Sequence, residues 1–342
     1  MSCRRPLLIL IVPLAFCFSA CFSAATADDK SPSTTYTDPA NTDADFAAQG
    51  EYTAVIPGNV IPGDGAVGVQ VIAQGNGKFH AAFYMGGLPG DGWDKKHKSE
   101  VDGETKDGVT LLANEKGLGH EKGAIQIKGG KLTLLDAESH PVTELKRVER
   151  RSPTLGKKPP KGAVVLFDGT SAEAFDHGRI DDAGLLPQGV TSKRKFGDCS
   201  LHIEFRTPYM PTAAGQGRGN SGCYLQGRYE VQILDSFGLA GKDNECGGIY
   251  SIRVPDQNMC FPPLAWQTYD IDYTAARFDA AGKKAKNATM TVRHNGVVIH
   301  EQVELPHATT AAPVAEGPDK GPLFLQDHGN PVRFRNIWLV ER

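Results

Sequence analysis

The sequence has few of the signals that mark common chemistries. No long unbroken run of lysine and arginine occurs, and the formal net charge of the 342 residues is −3. That leaves no electrostatic case for nucleic acid or an anionic membrane as partner. A phosphate-cradling Gly-x-x-x-x-Gly-Lys, a dinucleotide glycine motif and a His-Glu-x-x-His are all missing, so nucleotide-dependent and zincin-type reactions have no motif to rest on. Helical periodicity is missing as well, since no apolar pattern at i, i+3, i+4, i+7 lasts long enough to demand a helix. Of the seven cysteines, Cys3, Cys17 and Cys21 lie near the amino terminus. Cys199, Cys223, Cys246 and Cys260 remain, without a Cys-x-x-Cys or His-x-x-x-His pair to favour zinc. The acidic loop Gly-Lys-Asp-Asn-Glu-Cys-Gly-Gly lacks the alternating Asp ligands of an EF-hand, so no cofactor is expected and a divalent metal such as calcium stays an open alternative without support.

Only one long apolar run occurs, Leu7 to Phe22, behind Arg4 and Arg5 and ahead of a small-x-small site at Ala25-Thr26-Ala27. It is short for a membrane span and reads as a secretory signal over residues 1–27. The mature protein is then exported, periplasmic or extracellular, with no transmembrane segment. A lipoprotein cut at Ser19-Ala20-Cys21, leaving Cys21 lipidated, is the alternative. Losing 1–27 removes two arginines and no acid, taking the net charge to −5. An even number of cysteines in an exported chain permits disulfides. Cys246 and Cys260 flank a loop with Pro255 and Asn258, where a bridge would stabilise by roughly 3 kcal/mol.

What the chain does have is alternation. Residues 28–45, rich in Ser, Thr, Asp and Pro, read as a disordered lead-in. From 46 to 150, short apolar runs between glycine-containing turns predict a small β-rich domain with a hairpin at Gly129-Gly130. Residues 151–161, with tandem prolines and three lysines, read as a stiff exposed linker. From 162 to 342 many strands follow, with a type I′ hairpin signal at Asn295-Gly296 and His294 expected to be exposed beside it. The fold class is all-β, ending in a β-sandwich or jelly roll.

Two strands carry the chemistry. In 200–206, Leu201, Ile203 and Phe205 oppose His202, Glu204 and Arg206. In 223–234, read as one strand, Tyr224, Gln226, Arg228, Glu230 and Gln232 share a face. Such side chains make directional hydrogen bonds to a sugar-like ligand, although a water-facing sheet laced with ion pairs has the same pattern. Asp235 joins Glu230 and Gln232 only through a bulge. The spacing is similar to the Glu-x-Asp-x-x-Glu of laminarinase-type glycoside hydrolases, except that the middle acid is Gln232 and the last is Asp235. Gly219-Asn220-Ser221-Gly222 resembles a serine protease nucleophile string but has no identified His and Asp partners. It reads as a flexible loop with Asn220 and Ser221 at its rim. His328 ends a strand before a turn, within reach of a sheet-edge site.

Together VVLFDGTS, LHIEFRTP, GNSGCYLQGRYEVQILDSFG, ECGGIYS, PPLAWQTYDIDYTAARFD, VRHNGVVIHEQVEL and GPLFLQDHGNPVRFRNIWL resemble the 3-keto-disaccharide hydrolase domain, formerly of unknown function. That domain is common in exported proteins of Planctomycetes and Bacteroidetes, and residues 46–150 look like the segment preceding it in many planctomycete proteins. The resemblance spans about 162–342. It departs at Phe175, where the family usually has Trp. It implies a concanavalin A-like jelly roll and a glycoside substrate oxidised at C3. The C3 carbonyl acidifies the C2 proton, so a base can expel the C1 group by elimination before water adds. Glu230 is then the base or acid, with Asp235, Glu204 and His328 as catalytic partners. Arg206, Arg228 or Gln232 would hold the ketone oxygen, and Tyr224 and Trp266 would stack on a ring. His202, Asn220, Gln226 and Arg335 complete the expected substrate contacts. A non-catalytic carbohydrate-binding module is the alternative.

Overall fold

The computed structural model describes residues 34–56, 65–113, 118 and 123–342. The segment expected to be an export signal, and Cys21 within it, lie outside them. Among the described residues the chain is nearly all strand, with three short 3-10 turns, and no helix is long and apolar enough to cross a membrane.

The alternating runs from Gly50 to Val148 close on themselves. Eight strands in chain order form an antiparallel up-and-down barrel. Its first strand, Gly50–Val55, pairs with both its successor Ala66–Gly75 and the last strand, Pro141–Val148. Strand period two decides the contents: Val67, Val69, Val71 and Ala73 join Phe79, Ala81, Phe83 and Met85 in an apolar interior. The Gly129-Gly130 hairpin forms, both glycines at positive φ. Gln70 and Ile72 project to the outside of the barrel yet are buried, because that side faces the rest of the protein.

The remainder is the jelly-roll β-sandwich anticipated from the sequence. One sheet has the order Phe175–Asp176, Val190–Phe196, Gly321–Leu325, Ser221–Leu225, Tyr229–Ile233. The other, seven-stranded, centres on Arg333–Glu341, Cys199–Arg206, Gln267–Thr274 and Ala288–His294. Leu201, Ile203 and Phe205 from one sheet meet Cys223, Val231, Ile233 and Leu325 from the other in a single core. The run 223–234 is not one strand. Gln226 (φ 55°) and Gly227 (φ 63°) make a tight turn closed by the Arg228 N–H on the Leu225 carbonyl, so Ser221–Leu225 and Tyr229–Ile233 form a hairpin. Gln226 serves this turn, its amide donating to the Phe196 carbonyl and its oxygen accepting from Tyr273.

Barrel and sandwich interlock. Ile72 packs into the sandwich core, where a Cβ on Gly238 would lie 2.3 Å from its Cδ1. Arg150 grips the buried Glu51 carboxylate with both arms of its fork, Nε at 2.7 Å and Nη2 at 2.5 Å, while its guanidinium lies over the Phe261 ring. Two expectations need correction here. Residues 34–47 are not disordered: Tyr36 exchanges backbone hydrogen bonds with Tyr209, and Asp38 and Asp43 cap short 3-10 turns. Nor is the start of the 151–161 segment an exposed linker. Ser152 is buried, and Thr154 donates to Asp270 across the outer face of the seven-stranded sheet. Composition suggested exposure, but the sheet below offers acceptors that the segment satisfies.

Arg150→Ala leaves Glu51 buried without its counter-charge, and the expected loss is about 3–5 kcal/mol of unfolding free energy in urea titrations. A Glu51→Gln/Arg150→Met double variant should recover most of it. An unchanged midpoint for the single variant would show that the junction does not depend on this pair.

Candidate active site

Alternation sends two glutamates to opposite sides of the sandwich. With Leu201, Ile203 and Phe205 in the core, His202 and Glu204 face outward from the seven-stranded sheet. With Tyr229, Val231 and Ile233 in the core, Glu230 and Gln232 face outward from the other. Sheets in a sandwich stack about 10 Å apart, so Glu204 and His202 cannot serve as partners of Glu230. This corrects the grouping expected from sequence.

Glu204 is saturated with donors. It accepts from the Gly156 N–H at 2.5 Å, Arg335 Nε at 2.6 Å and Asn336 Nδ2 at 2.8 Å, beside His202. Burial would raise its pKa, but the hydrogen bonds from His202, Asn336, Gly156 and Arg335 prevail and hold it at about 2. For His202, burial opposes the proton, yet hydrogen bonds with Asp270 (2.8 Å) and Glu204 raise its pKa. This network is a permanently ionised clamp on 151–160, with the Lys157 carbonyl accepting from Asn336 and Trp338. A carboxylate held so firmly charged is a poor acid or base near neutrality.

Glu230 sits in the opposite condition. It is 2% exposed and has no ion-pair partner among the described residues. Tyr224, directly across the hairpin, donates its hydroxyl to Glu230 Oε2 at 2.7 Å. Burial raises the Glu230 pKa to about 7, the Tyr224 bond offsetting only part of that effect. Tyr224 itself is pushed well above the usual phenol value, by burial first and then by the glutamate charge, so it stays protonated. Its hydroxyl also accepts from Gln326 Nε2 at 3.2 Å. Gly222 is part of the site: a Cβ there would stand 2.2 Å from Glu230 Oε1 and 2.8 Å from the Tyr224 ring. The flexible-loop reading of Gly219 to Gly222 needs correction: Ser221 and Gly222 begin the strand Ser221–Leu225, and Asn220 and Ser221 are buried and hydrogen-bonded, not at a rim. Tyr229–Ile233 is an edge strand, protected by the segment 247–250, which bonds to the backbone of Glu230 and Gln232, and by Thr309 Oγ, which accepts the Glu230 N–H.

Gln232 and Asn220 lie next to this pair in one amide cluster: Gln232 Nε2 and Asn220 Nδ2 both donate to Gln216 Oε1, at 3.0 and 3.1 Å. Gln232 Oε1 and Asn220 Oδ1 are buried and find no donor among the described residues. The other expected residues are engaged elsewhere. Asp235 lies beyond the strand end, in an ion pair with Arg218 (2.7 Å) beside the barrel carbonyl of Ala73. Arg228 is buried and clamps the carbonyls of Ala315, Gly317 and Asp319. Arg206 and Arg335 stack on Trp266 on the Glu204 side, 5.1 and 3.9 Å from the ring centroid. His328 is in an exposed turn with no hydrogen bond to Glu230. Ser221 donates to the Gln326 carbonyl and has no His partner.

Two further expectations fail. Cys246 and Cys260 are free thiols, the first 3.2 Å from the Tyr269 hydroxyl, the second directed at the Leu234 carbonyl. Asn258 closes their loop instead, with its amide on the Ser236 and Leu239 carbonyls. His294 is buried against Gln267, and burial lowers its pKa to about 3. The Asn295-Gly296 hairpin does form, its tip against Pro153, but His294 turns inward and packs on the Phe205 and Tyr269 rings. Among the described residues no cluster of three or more His, Cys, Asp or Glu side chains is arranged to hold a metal ion.

Because the folded-state pKa of Glu230 lies above its ordinary value, its charge costs stability as pH rises from about 4.5 to 7, by up to about 3 kcal/mol once ionised. Glu230→Gln should therefore gain on the wild type between pH 5 and pH 8 in paired urea titrations. A stability difference that does not change with pH would mean that Glu230 titrates normally.

Residues 162–340 match the family described as the 3-keto-alpha-glucoside-1,2-lyase-like domain. Among solved structures the chain is similar to three candidate glycosyl hydrolases from Parabacteroides distasonis. One is 35% identical, over 54% of this chain and 85% of that one, with a TM-score of 0.49. The others are 17% and 21% identical over 53% of this chain, covering 94% and 99% of theirs, with TM-scores of 0.40 and 0.38. No curated protein matches in sequence. The match covers more than half of the chain and takes in both strands of the Tyr224–Glu230 hairpin, so this protein belongs to the 3-keto-alpha-glucoside-1,2-lyase-like family.

Proposed function

We propose that this protein is a carbohydrate-active enzyme of glycosidase type that cleaves 3-keto-glycosides by elimination followed by hydration, with Glu230 as the base. The observation that carries the reading is the state of Glu230: a buried carboxyl without a counter-ion, brought to about 7, in contact with a phenol that stays protonated. A base whose pKa matches the working pH combines a useful ionised fraction with sufficient basicity. In the substrate, the C3 carbonyl stabilises the enolate formed when the C2 proton leaves. Glu230 takes that proton, the C1–O bond breaks as a C1=C2 double bond forms, and the departing oxygen needs a proton. Tyr224 donates its own and recovers one from Glu230 through their 2.7 Å hydrogen bond, so the pair returns to its starting state, Glu230 ionised and Tyr224 protonated, and the C2 proton has in effect moved to the leaving oxygen. Water then adds across the double bond. Gln326, whose Nε2 reaches the Tyr224 hydroxyl, is the amide in contact with the pair, and the free Oε1 of Gln232, two residues along the Glu230 face, can accept from a sugar hydroxyl. The amino-terminal pattern supports action outside the cytoplasm.

A binding module without turnover is favoured by one observation, the unpaired buried oxygens of Asn220 and Gln232, which suit sugar hydroxyls. The two readings separate on incubation with a 3-keto-disaccharide and its unoxidised parent. The expected result is release from the keto sugar only, with kcat/KM rising as pH increases through about 7 and falling about 10²–10⁴-fold in Glu230→Gln. Binding without release would leave the module reading; release unaffected by the substitution would remove Glu230 from the mechanism.

Gly222→Ala tests the geometry apart from the charge. The added methyl pushes the Glu230 carboxylate away from Tyr224, with an expected loss of roughly 10²-fold in kcat while circular dichroism remains that of the wild type. Wild-type turnover in this variant would mean that the carboxylate position observed over Gly222 is not the reactive one.

A further inference from the structure

A cleft of about 520 Å³ opens where barrel and sandwich meet, on the Glu204 side of the molecule. Its size falls in the range of small-ligand sites. Phe46, Leu155 and the Pro262-Pro263 turn make apolar walls, and Trp266 lies at the sandwich end. Four arginines line it, Arg147, Arg150, Arg151 and Arg335, against two glutamates, Glu51 and Glu149. This excess of positive charge occurs in a chain whose net charge is −3.

The arginines divide by what they already hold. Arg150 is matched by Glu51, and Arg335 is matched by Glu204 through Nε. Arg147 donates to the backbone oxygens of Ala47 and Gln49 and lies beside Tyr52, with no acid among its partners, and Arg151 is exposed and has no partner among the described residues. Glu149 is the one lining acid left to balance them. The guanidinium of Arg335 lies flat on Trp266, with Arg206 near the same ring, so an incoming group meets cationic edges in place of a bare aromatic face. Arg206 registers the crowding: its pKa is lowered by burial first and by Arg335 next.

We propose that this cleft binds the anionic group of an acidic saccharide, a carboxylate or a sulfate ester. Guanidinium forks of Arg147 and Arg151 take the oxygens, and the proline turn and Phe46 take the ring faces. That the ligand is a saccharide rests on the carbohydrate reading of the family domain; that it is anionic rests on the cleft alone. Half of the lining comes from 46–151, outside the matched domain, which gives the barrel a role: it makes one wall of a second subsite, remote from Glu230.

The test is calorimetric titration of the full chain, at low ionic strength, with oligogalacturonate, a sulfated oligosaccharide and a neutral cello-oligosaccharide of equal length. The expected result is binding of one or both anionic probes, a loss of at least about tenfold in affinity for Arg151→Ala and more for Arg147→Ala/Arg151→Ala, and weakening by added salt. The two anionic arms tell carboxylate from sulfate. Arg151 is exposed and unpartnered, so its single variant does not threaten folding. Binding should persist in Glu230→Gln. The proposal is overturned if neither anionic probe binds, if the neutral probe binds as well, if Arg151→Ala changes nothing, or if Glu230→Gln abolishes binding. Keto-sugar cleavage without anion binding would sink the cleft and spare the catalytic reading. Arginine-dependent anion binding without cleavage would do the reverse.

Discussion

The saturation of the Glu204 carboxylate is the contact on which the arrangement of the molecule depends. A buried carboxylate without donors is costly, and Glu204 satisfies itself with Arg335 and Asn336 from its own sheet and with the Gly156 N–H from the segment that follows the barrel. That third donor draws 151–160 across the sheet, where Thr154 and Lys157 add contacts to Asp270, Asn336 and Trp338. Once the segment is pinned there, the barrel has little freedom in where it docks. The Arg150–Glu51 fork and the insertion of Ile72 beside Gly238 complete the junction, and the cationic cleft between the halves follows from that docking.

The same amino acid on the two outward faces acquires opposite properties. Glu204 has several donors, which hold its pKa at about 2; Glu230 is buried with one phenol as donor and no counter-charge, and is brought to about 7. Environment holds one as a fixed anion and leaves the other able to gain or lose a proton near neutrality, the kind of separation by which enzymes run acid and base chemistry with two carboxyl groups. Tyr224 is neutral for the same reason that Glu230 is a weak acid: neither can ionise cheaply under the cover of Thr309 and the segment 247–250.

How much of this is legible in the sequence depends on the range of the interaction. Alternation in 200–206 identified Leu201, Ile203 and Phe205 as core and His202 and Glu204 as outward, which is what the structure has. Asn295-Gly296 marked its turn because those residues favour positive φ. Gln226-Gly227 makes the same kind of turn, but Gln is an unusual residue at positive φ and the alternation of Tyr224 and Glu230 runs through it undisturbed, so the hairpin went unread. Cys246 and Cys260 do come within hydrogen-bond reach of each other, as their spacing suggested, but as free thiols, and the Asn258 amide ties their loop down with hydrogen bonds that no spacing rule anticipates.

The sequence by itself determined an all-β chain, the jelly-roll half, the shared face of Tyr224, Glu230 and Gln232, and the family, because each of these is written in period two and in local strings. Tertiary structure alone decided that Glu204 and Glu230 stand on opposite faces, that Asp235 belongs to Arg218, that the first eight strands close into a barrel, and that residues 151–160 are clamped. The reason is physical. A strand's period says which side chains share a face of their own strand, whereas the pairing of sheets and the desolvation of each carboxylate are set by residues distant in the chain, and those alone fix which groups meet and which proton a carboxyl keeps.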